Sequence, residues 1–318
     1  MKQLFQKFFD AACILSVVGI WPRFIEPNLL SRTNIACPIP DLPDDLEGFR
    51  IVQLSDLHIG PAMSSRMLKT IRKKIRSLRP DLLVFTGDFL CYSTLDPRLR
   101  DFLCSLSAPC GAFAVLGNHD YEKPVVVNPE TGDYDTPRRK KGDAAAGLRL
   151  LSHPINVTGH VSESIQSIGF QKDLSHTIAL SPFRLLHNET CRIRVKNSRL
   201  NIVGLGEHML GRDDVDQAFE KYDDNAPGII LSHNPDTIPK LLDRPGHLIL
   251  SGHTHGAQIN LPFLRSRLTL MENPQYRRGL IREGGKLIYV NRGLGSVFKF
   301  RLGSIPEITT VTLTRSDT

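Results

Sequence analysis

Five short clusters in this chain gather side chains able to bind metal ions and to move protons. They are Asp56-Leu57-His58, Gly87-Asp88, Gly117-Asn118-His119-Asp120, Ser232-His233-Asn234 and Gly252-His253-Thr254-His255. Carboxylate, imidazole and carboxamide oxygen together suit divalent ions such as Mn²⁺, Fe²⁺ or Zn²⁺. No cysteine lies among them, which argues against a structural zinc site. A carboxylate offers two oxygens and can serve two ions, so Asp88 is the natural bridge of a two-ion centre. In Asp56/His58 and His253/His255 the spacing of two puts both side chains on one side of an extended segment. Taken singly, each cluster has a plainer explanation. His233 before Asn234-Pro235 reads as a turn histidine, Asn118 as a turn residue, and Asp88 after Gly87 as a helix cap. Five such clusters in one chain need a common one.

Every cluster follows an apolar run of strand length. Residues 49–54, 82–85, 112–116, 228–231 and 247–250 read as buried strands, each ending in one of the polar groups. Between the first two, Met67, Leu68, Ile71, Ile75 and Leu78 recur at helical spacing, and Pro80 stops the helix. Strand, helix, strand at this spacing implies a parallel pair with a crossover helix. Open α/β sheets bind ligands beyond the carboxyl ends of their strands, which is where the clusters fall. Later, 192–195 and 200–205 read as paired strands, 213–222 as a helix, and 287–290 and 308–313 as further strands.

The remainder of the chain sets the boundaries. Lys and Arg outnumber Asp and Glu by 40 to 33, a formal charge of +7 that suits an anionic partner. One Trp, six Tyr and no aromatic-interleaved basic run give little to a single-strand nucleic-acid binder, so no such partner is expected. The six cysteines are scattered without paired spacing and read as core residues of a reducing compartment. Residues 1–30 carry Lys2 and Lys7 among phenylalanines and then an apolar run from Ala11 to Trp21, too short to span a bilayer. This pattern predicts a helix lying in the membrane interface, ahead of an ordinary helix packed on the domain or a weak signal peptide. Its removal, over residues 1 to 24, is expected to free the protein from membranes and leave hydrolysis of a soluble diester intact. Residues 31–48, with Pro38, Pro40 and Pro43 among acidic residues, read as a linker into a domain over 49–318. An excursion at about 125–182, carrying the basic run Arg138-Arg139-Lys140-Lys141, interrupts the strand rhythm like an inserted cap.

The order D-x-H, G-D, G-N-H-D, H, G-H-x-H over residues 51–255 resembles the calcineurin-like metallophosphoesterases. The resemblance implies an α/β fold, a four-layer αββα sandwich with mixed central sheets. It assigns Asp56, His58, Asp88 and His255 to one metal, and Asp88, Asn118, His233 and His253 to the other. It leaves His119 free to contact phosphate or to protonate the leaving group, with Asp120 a candidate to orient it. Hydrolysis would then use a water shared by the two ions, which becomes a hydroxide nucleophile near neutral pH.

The runs 51–58, 231–236 and 252–258, with 186–189 and 289–295, are similar to the membrane-associated bacterial phosphodiesterase branch. Ala257, where that branch usually has glycine, and the excursion are its departures. With the added segment, the chain most resembles the chlamydial-type UDP-2,3-diacylglucosamine pyrophosphatases of lipid A biosynthesis. This implies a nucleotide-linked lipid substrate, cleaved to 2,3-diacylglucosamine 1-phosphate and UMP at the cytoplasmic face of a bacterial inner membrane. Arg138 to Lys141 would meet headgroups or substrate phosphates. A broad phosphodiesterase or nuclease would use the same ions. A non-enzymatic scaffold would not need all seven ligand positions filled, as they are here.

Overall fold

The computed structural model describes residues 2–137, 155–262 and 269–316. Two six-stranded sheets form its centre, and β5 (Val126–Val127) pairs with β6 (Tyr134–Asp135) in a separate two-stranded ribbon. The first runs in the order β1 (Ser31–Ile39), β14 (Glu307–Arg315), β2 (Arg50–Leu54), β3 (Leu82–Thr86), β4 (Ala112–Val115), β7 (Phe183–Leu185). The second runs β12 (Gly279–Glu283), β13 (Lys286–Val290), β11 (Leu248–Ser251), β10 (Gly228–Leu231), β9 (Ser198–Gly204), β8 (Glu189–Val195). Both are mixed: β2, β3, β4 and β7 are parallel, as are β9, β10, β11 and β13, with antiparallel partners towards the edges.

Side-chain alternation makes the layers. Ile51, Leu82, Val84, Ile229, Leu231, Leu248 and Leu250 pack in one core between the sheets. Their neighbours Val52, Leu83 and Phe85 face outward into a second core, and Ile230 and Ile249 into a third. A strand buried on both faces reads as a continuous apolar run, which is why these segments showed no polar alternation. Helix Ser65–Leu78 covers the first outer face with Met67, Leu68, Ile71, Ile75 and Leu78, as its spacing predicts. The Ser64 side chain caps its start by accepting from the Met67 N–H, and Arg79 ends it in the left-handed region at φ 48°. Val215, Ala218, Ile238 and Leu241 cover the other sheet. The αββα sandwich is therefore present.

Residues 31–48 are not a linker. Ser31–Ile39 pairs in parallel with Glu307–Arg315 along its whole length, with Cys37 and Ile39 buried in the inter-sheet core. The prolines misled because Pro38 lies on an edge strand, where a missing N–H costs no ladder bond if it faces outward. The described parts of the excursion pack on the domain. Val125, Tyr134, Val157, Ile165, Ile168, Leu174 and Ile178 join the first outer core. Helix Lys172–Ala179 then leads into β7, which pairs in parallel with β4. At the other end of the chain, helix Lys2–Leu15 continues into a wide π-type helix, Ser16–Ile25, with Pro22 inside. No described helix is long and apolar enough to cross a membrane.

A buried ionic latch ties the excursion to the second sheet. His208 Nδ1 lies 2.8 Å from Asp213 Oδ2 and Nε2 lies 2.8 Å from Glu272 Oε1. Tyr134 donates to Glu272, and Lys240 donates to Asp213. Burial opposes a charge on His208, but the two carboxylates outweigh it and raise its pKa from 6.5 to about 10. A raised folded-state pKa gives stability that is fully present below pH 6.5 and lost as pH rises through about 10. His208→Gln should cost about 3 kcal/mol near pH 6. In denaturant titrations that gap should close as pH approaches 10; a gap independent of pH would mean His208 is not charged.

Candidate metal centre

The seven candidate ligands come together where the carboxyl ends of the two parallel strand sets meet. Asp56 and His58 follow β2, Asp88 follows β3, Asn118 follows β4, His233 follows β10, and His253 and His255 follow β11. Gln53 joins the two sheets beneath them, donating to Ser251 O at 2.9 Å and to Thr86 Oγ1 at 3.0 Å. To turn inward this abruptly, five of the seven adopt positive φ: Asp56 49°, His58 41°, Asp88 58°, His253 69° and His255 51°. Such residues are strained and persist only when their surroundings hold them. The turns are also crowded: a Cβ on Gly117 would stand 2.2 Å from Asp88 Oδ1, and one on Gly252 1.9 Å from Ser55 Oγ. Only glycine lets these backbones approach.

Asp88 stands at the middle. Its Oδ2 lies 3.3 Å from His58 Nε2, and its Oδ1 lies 3.4 Å from His233 Nε2. On the His58 side, His255 Nε2 is 3.0 Å from His58 Nε2 and 3.7 Å from Asp56 Oδ1. On the His233 side, Asn118 Oδ1 is 3.0 Å from both His233 Nε2 and His253 Nδ1. The Asn118 amide points its oxygen inward because its Nδ2 donates to Val125 O at 2.6 Å. Asp56, His58 and His255 form one group able to hold an ion, and Asp88, His233 and His253 another.

The donor set fits two cations. His58 Nδ1 sits 3.1 Å from Leu90 O and His233 Nδ1 2.7 Å from Thr86 O, so each can donate there and turn Nε2 to the centre. Burial lowers His58 and His253 to about 3 and His255 well below its usual value, keeping these rings neutral. His233 differs: burial opposes its charge, but Asp88 beside it raises its pKa well above 6.5. A cation between them would displace that proton, since ligation needs the neutral ring.

His119 lies edge-on to His58, with ring centroids 4.9 Å apart. It is buried, its Nδ1 has no hydrogen-bond partner among the described residues, and its backbone N–H donates to Asp88 Oδ1 at 3.0 Å. Its ligand atom also falls within reach of those of His58 and Asp88. Asp120 accepts from the Asp88 and Gly117 N–H groups at 2.7 and 2.9 Å and from Leu90 N–H at 3.0 Å. It ties two ligand turns together, and no contact with the His119 ring is among its bonds.

Arg138 to Lys141 lie outside the described residues. Arg301 escaped sequence reading altogether. It is fully buried, its Nη2 lies 3.0 Å from His255 Nδ1, and it donates to Arg292 O, Ser304 O and Gly295 O. Nothing in Phe298-Lys299-Phe300-Arg301 separates it from a solvated basic residue.

A layered α/β sandwich with a histidine–carboxylate–amide cluster at its strand ends defines a metal-dependent hydrolase. The sequence pattern of the calcineurin-like phosphoesterases matches residues 49–257, and the chain belongs to that family. It is a hydrolytic enzyme that works with divalent metal ions. The chain is 40% identical to the UDP-2,3-diacylglucosamine pyrophosphatase LpxG of Chlamydia muridarum, over 91% of each chain. The protein of that name from Chlamydia trachomatis matches equally, at 40% over 91% of each. The uncharacterized metallophosphoesterase YkuE of Bacillus subtilis is 31% identical over 92% of this chain and 88% of its own.

Asp88→Asn should weaken ion binding on both sides and lower turnover of a chromogenic diester about a thousandfold. His119→Ala should slow turnover about a hundredfold with metal content unchanged. Metal analysis separates the two: an emptied ion site in His119→Ala would make His119 a ligand, and full activity in Asp88→Asn would end the shared-carboxylate reading.

Proposed function

We propose that the chain hydrolyses the pyrophosphate of UDP-2,3-diacylglucosamine to 2,3-diacylglucosamine 1-phosphate (lipid X) and UMP, in lipid A biosynthesis. The observation that carries this reading is the 40% identity to the two chlamydial LpxG proteins over nearly the whole of both chains. Asp56, His58, Asp88 and His255 would hold one ion, and Asp88, Asn118, His233 and His253 the other. Mn²⁺ is the ion we assign, Fe²⁺ and Zn²⁺ suiting the same donors. Two divalent ions at such a centre supply Lewis acidity and an activated water.

The chain's own residues supply the rest. His119, buried beside the ligand set with no partner for its Nδ1 among the described residues, gives a proton to the phosphate oxygen that leaves as the P–O bond breaks. The buried walls around Asp56, Asp88 and His233 keep bulk water from screening the charges. Arg138 to Lys141 are assigned to the substrate's phosphates or to lipid headgroups, from their sequence alone. Phe9, Ile14, Leu15, Ile20, Trp21 and Phe24 are exposed along the N-terminal helices, an arrangement suited to the interface of a membrane. We place the enzyme, peripheral or anchored by its N-terminal segment, at the cytoplasmic face of a bacterial inner membrane, where its lipid substrate would be concentrated.

The test is incubation of the protein with UDP-2,3-diacylglucosamine and Mn²⁺, with UMP and lipid X resolved by chromatography. Equimolar release of both is expected. Hydrolysis of a chromogenic diester without UMP release would keep the phosphoesterase and remove this substrate.

A further inference from the structure

The loop that follows the second sheet's last parallel strand, residues 296–306, connects the metal centre to the N-terminal segment. Four successive residues at the centre, His255, Gly256, Ala257 and Gln258, have positive φ (51°, 61°, 71° and 35°). For the three non-glycine residues this costs on the order of 1 kcal/mol or more each, so the run needs outside support. That support comes from the loop. Ser304 Oγ donates to His255 O at 2.5 Å, Arg301 reaches His255 Nδ1, and Leu302 N donates to Gln258 O at 2.9 Å.

The loop has no regular structure of its own, and part of its hold is the N-terminal segment. Arg301 N donates to Pro22 O at 2.8 Å, and Arg23 donates to Lys299 O at 2.7 Å. Glu26 lies deepest, 2% exposed. Its Oε1 accepts from Ser304 N–H at 2.5 Å and its Oε2 from the Trp21 indole at 2.8 Å. A carboxylate buried beside an apolar segment is costly unless bonded, and these bonds commit it to the loop.

We propose that Glu26 is a positioning residue of the metal centre, holding His255 through Ser304 and with it the half formed by Asp56, His58 and His255. The inference rests on the ligand assignment above and not on the identity of the substrate. It also changes an expectation from sequence. Removing residues 1 to 24 takes away Trp21 and Pro22, so metal chemistry should suffer together with any membrane attachment.

The experiment titrates the full-length chain with Mn²⁺ alone, by calorimetry and by electron paramagnetic resonance, for wild type, Glu26→Ala, Glu26→Gln and Ser304→Ala. Glu26→Ala should weaken one of two binding steps about 10- to 100-fold and leave the other unchanged. The signal of the exchange-coupled ion pair should then fall at ratios that fill both sites in wild type. Glu26→Gln should recover much of the lost affinity, because its amide oxygen can still accept from Ser304 N–H. Wild-type affinity at both steps in Glu26→Ala, or equal weakening of both, overturns the proposal. If Glu26→Ala does not fold, Ser304→Ala decides: loss confined to one step supports the role, and unchanged binding overturns it. Because Mn²⁺ is the only probe, failure to release UMP from the nucleotide–lipid would leave this result standing.

Discussion

The Asp88 carboxylate is the group on which the site turns. It sits 2% exposed between two sheets whose other inward residues are mainly aliphatic, where an isolated charge is strongly disfavoured. Burial alone would raise its pKa, but His233, first among the imidazoles around it, holds it well below the ordinary carboxylate value. These imidazoles reach it only because strands of both sheets end in the same place. The parallel order of β2, β3 and β4 and of β9, β10 and β11 is thus a condition for the charge at the centre. Asp120 reinforces it by tying the Gly117 turn to the Asp88 turn through backbone N–H groups.

Much of this was legible in the sequence, for a physical reason. Strands buried on both faces appear as short apolar runs, and each run stops at the polar residues it delivers. The runs ending at Asp56, Asp88, Asn118, His233 and His253 therefore marked both the strands and the place where they meet. Helix Ser65–Leu78 was equally visible because one face packs on the sheet and the other meets water. Side-chain contacts between remote residues were not visible. Asp120 was considered as a partner for His119 because it is adjacent in sequence, whereas its oxygens reach back to a different turn.

The missed elements share a feature: their meaning depends on what they pair with. Ser31–Ile39 carries prolines and polar residues, so as a lone segment it resembles a connection. As an edge strand beside Glu307–Arg315 it needs only its alternate side chains, Ile35, Cys37 and Ile39, to face the core. Arg301 and Glu26 are ordinary surface types by composition, and only the folded chain brings them against His255 and Ser304. Glu307 is similar: fully buried, it accepts from Tyr289, Thr33 and Arg292, joining β1, β13 and β14 behind the Asp56 turn.

The two halves of the centre are consequently built to different standards. Around His233 the supports come from the sheets themselves: Thr86 O at the end of β3 fixes the ring, Val125 O fixes the Asn118 amide, and β10 and β11 are central strands of the second sheet. Around His255 they come from loops and the N-terminal segment, with Gly293 against Asp56, Arg301 and Ser304 against His255, and Pro22 and Glu26 behind them. The same asymmetry exposes the His255 half to whatever acts on the N-terminal segment. An apolar helix seated at a lipid surface would therefore bear on the chemistry of the ion pair as well as on the enzyme's position.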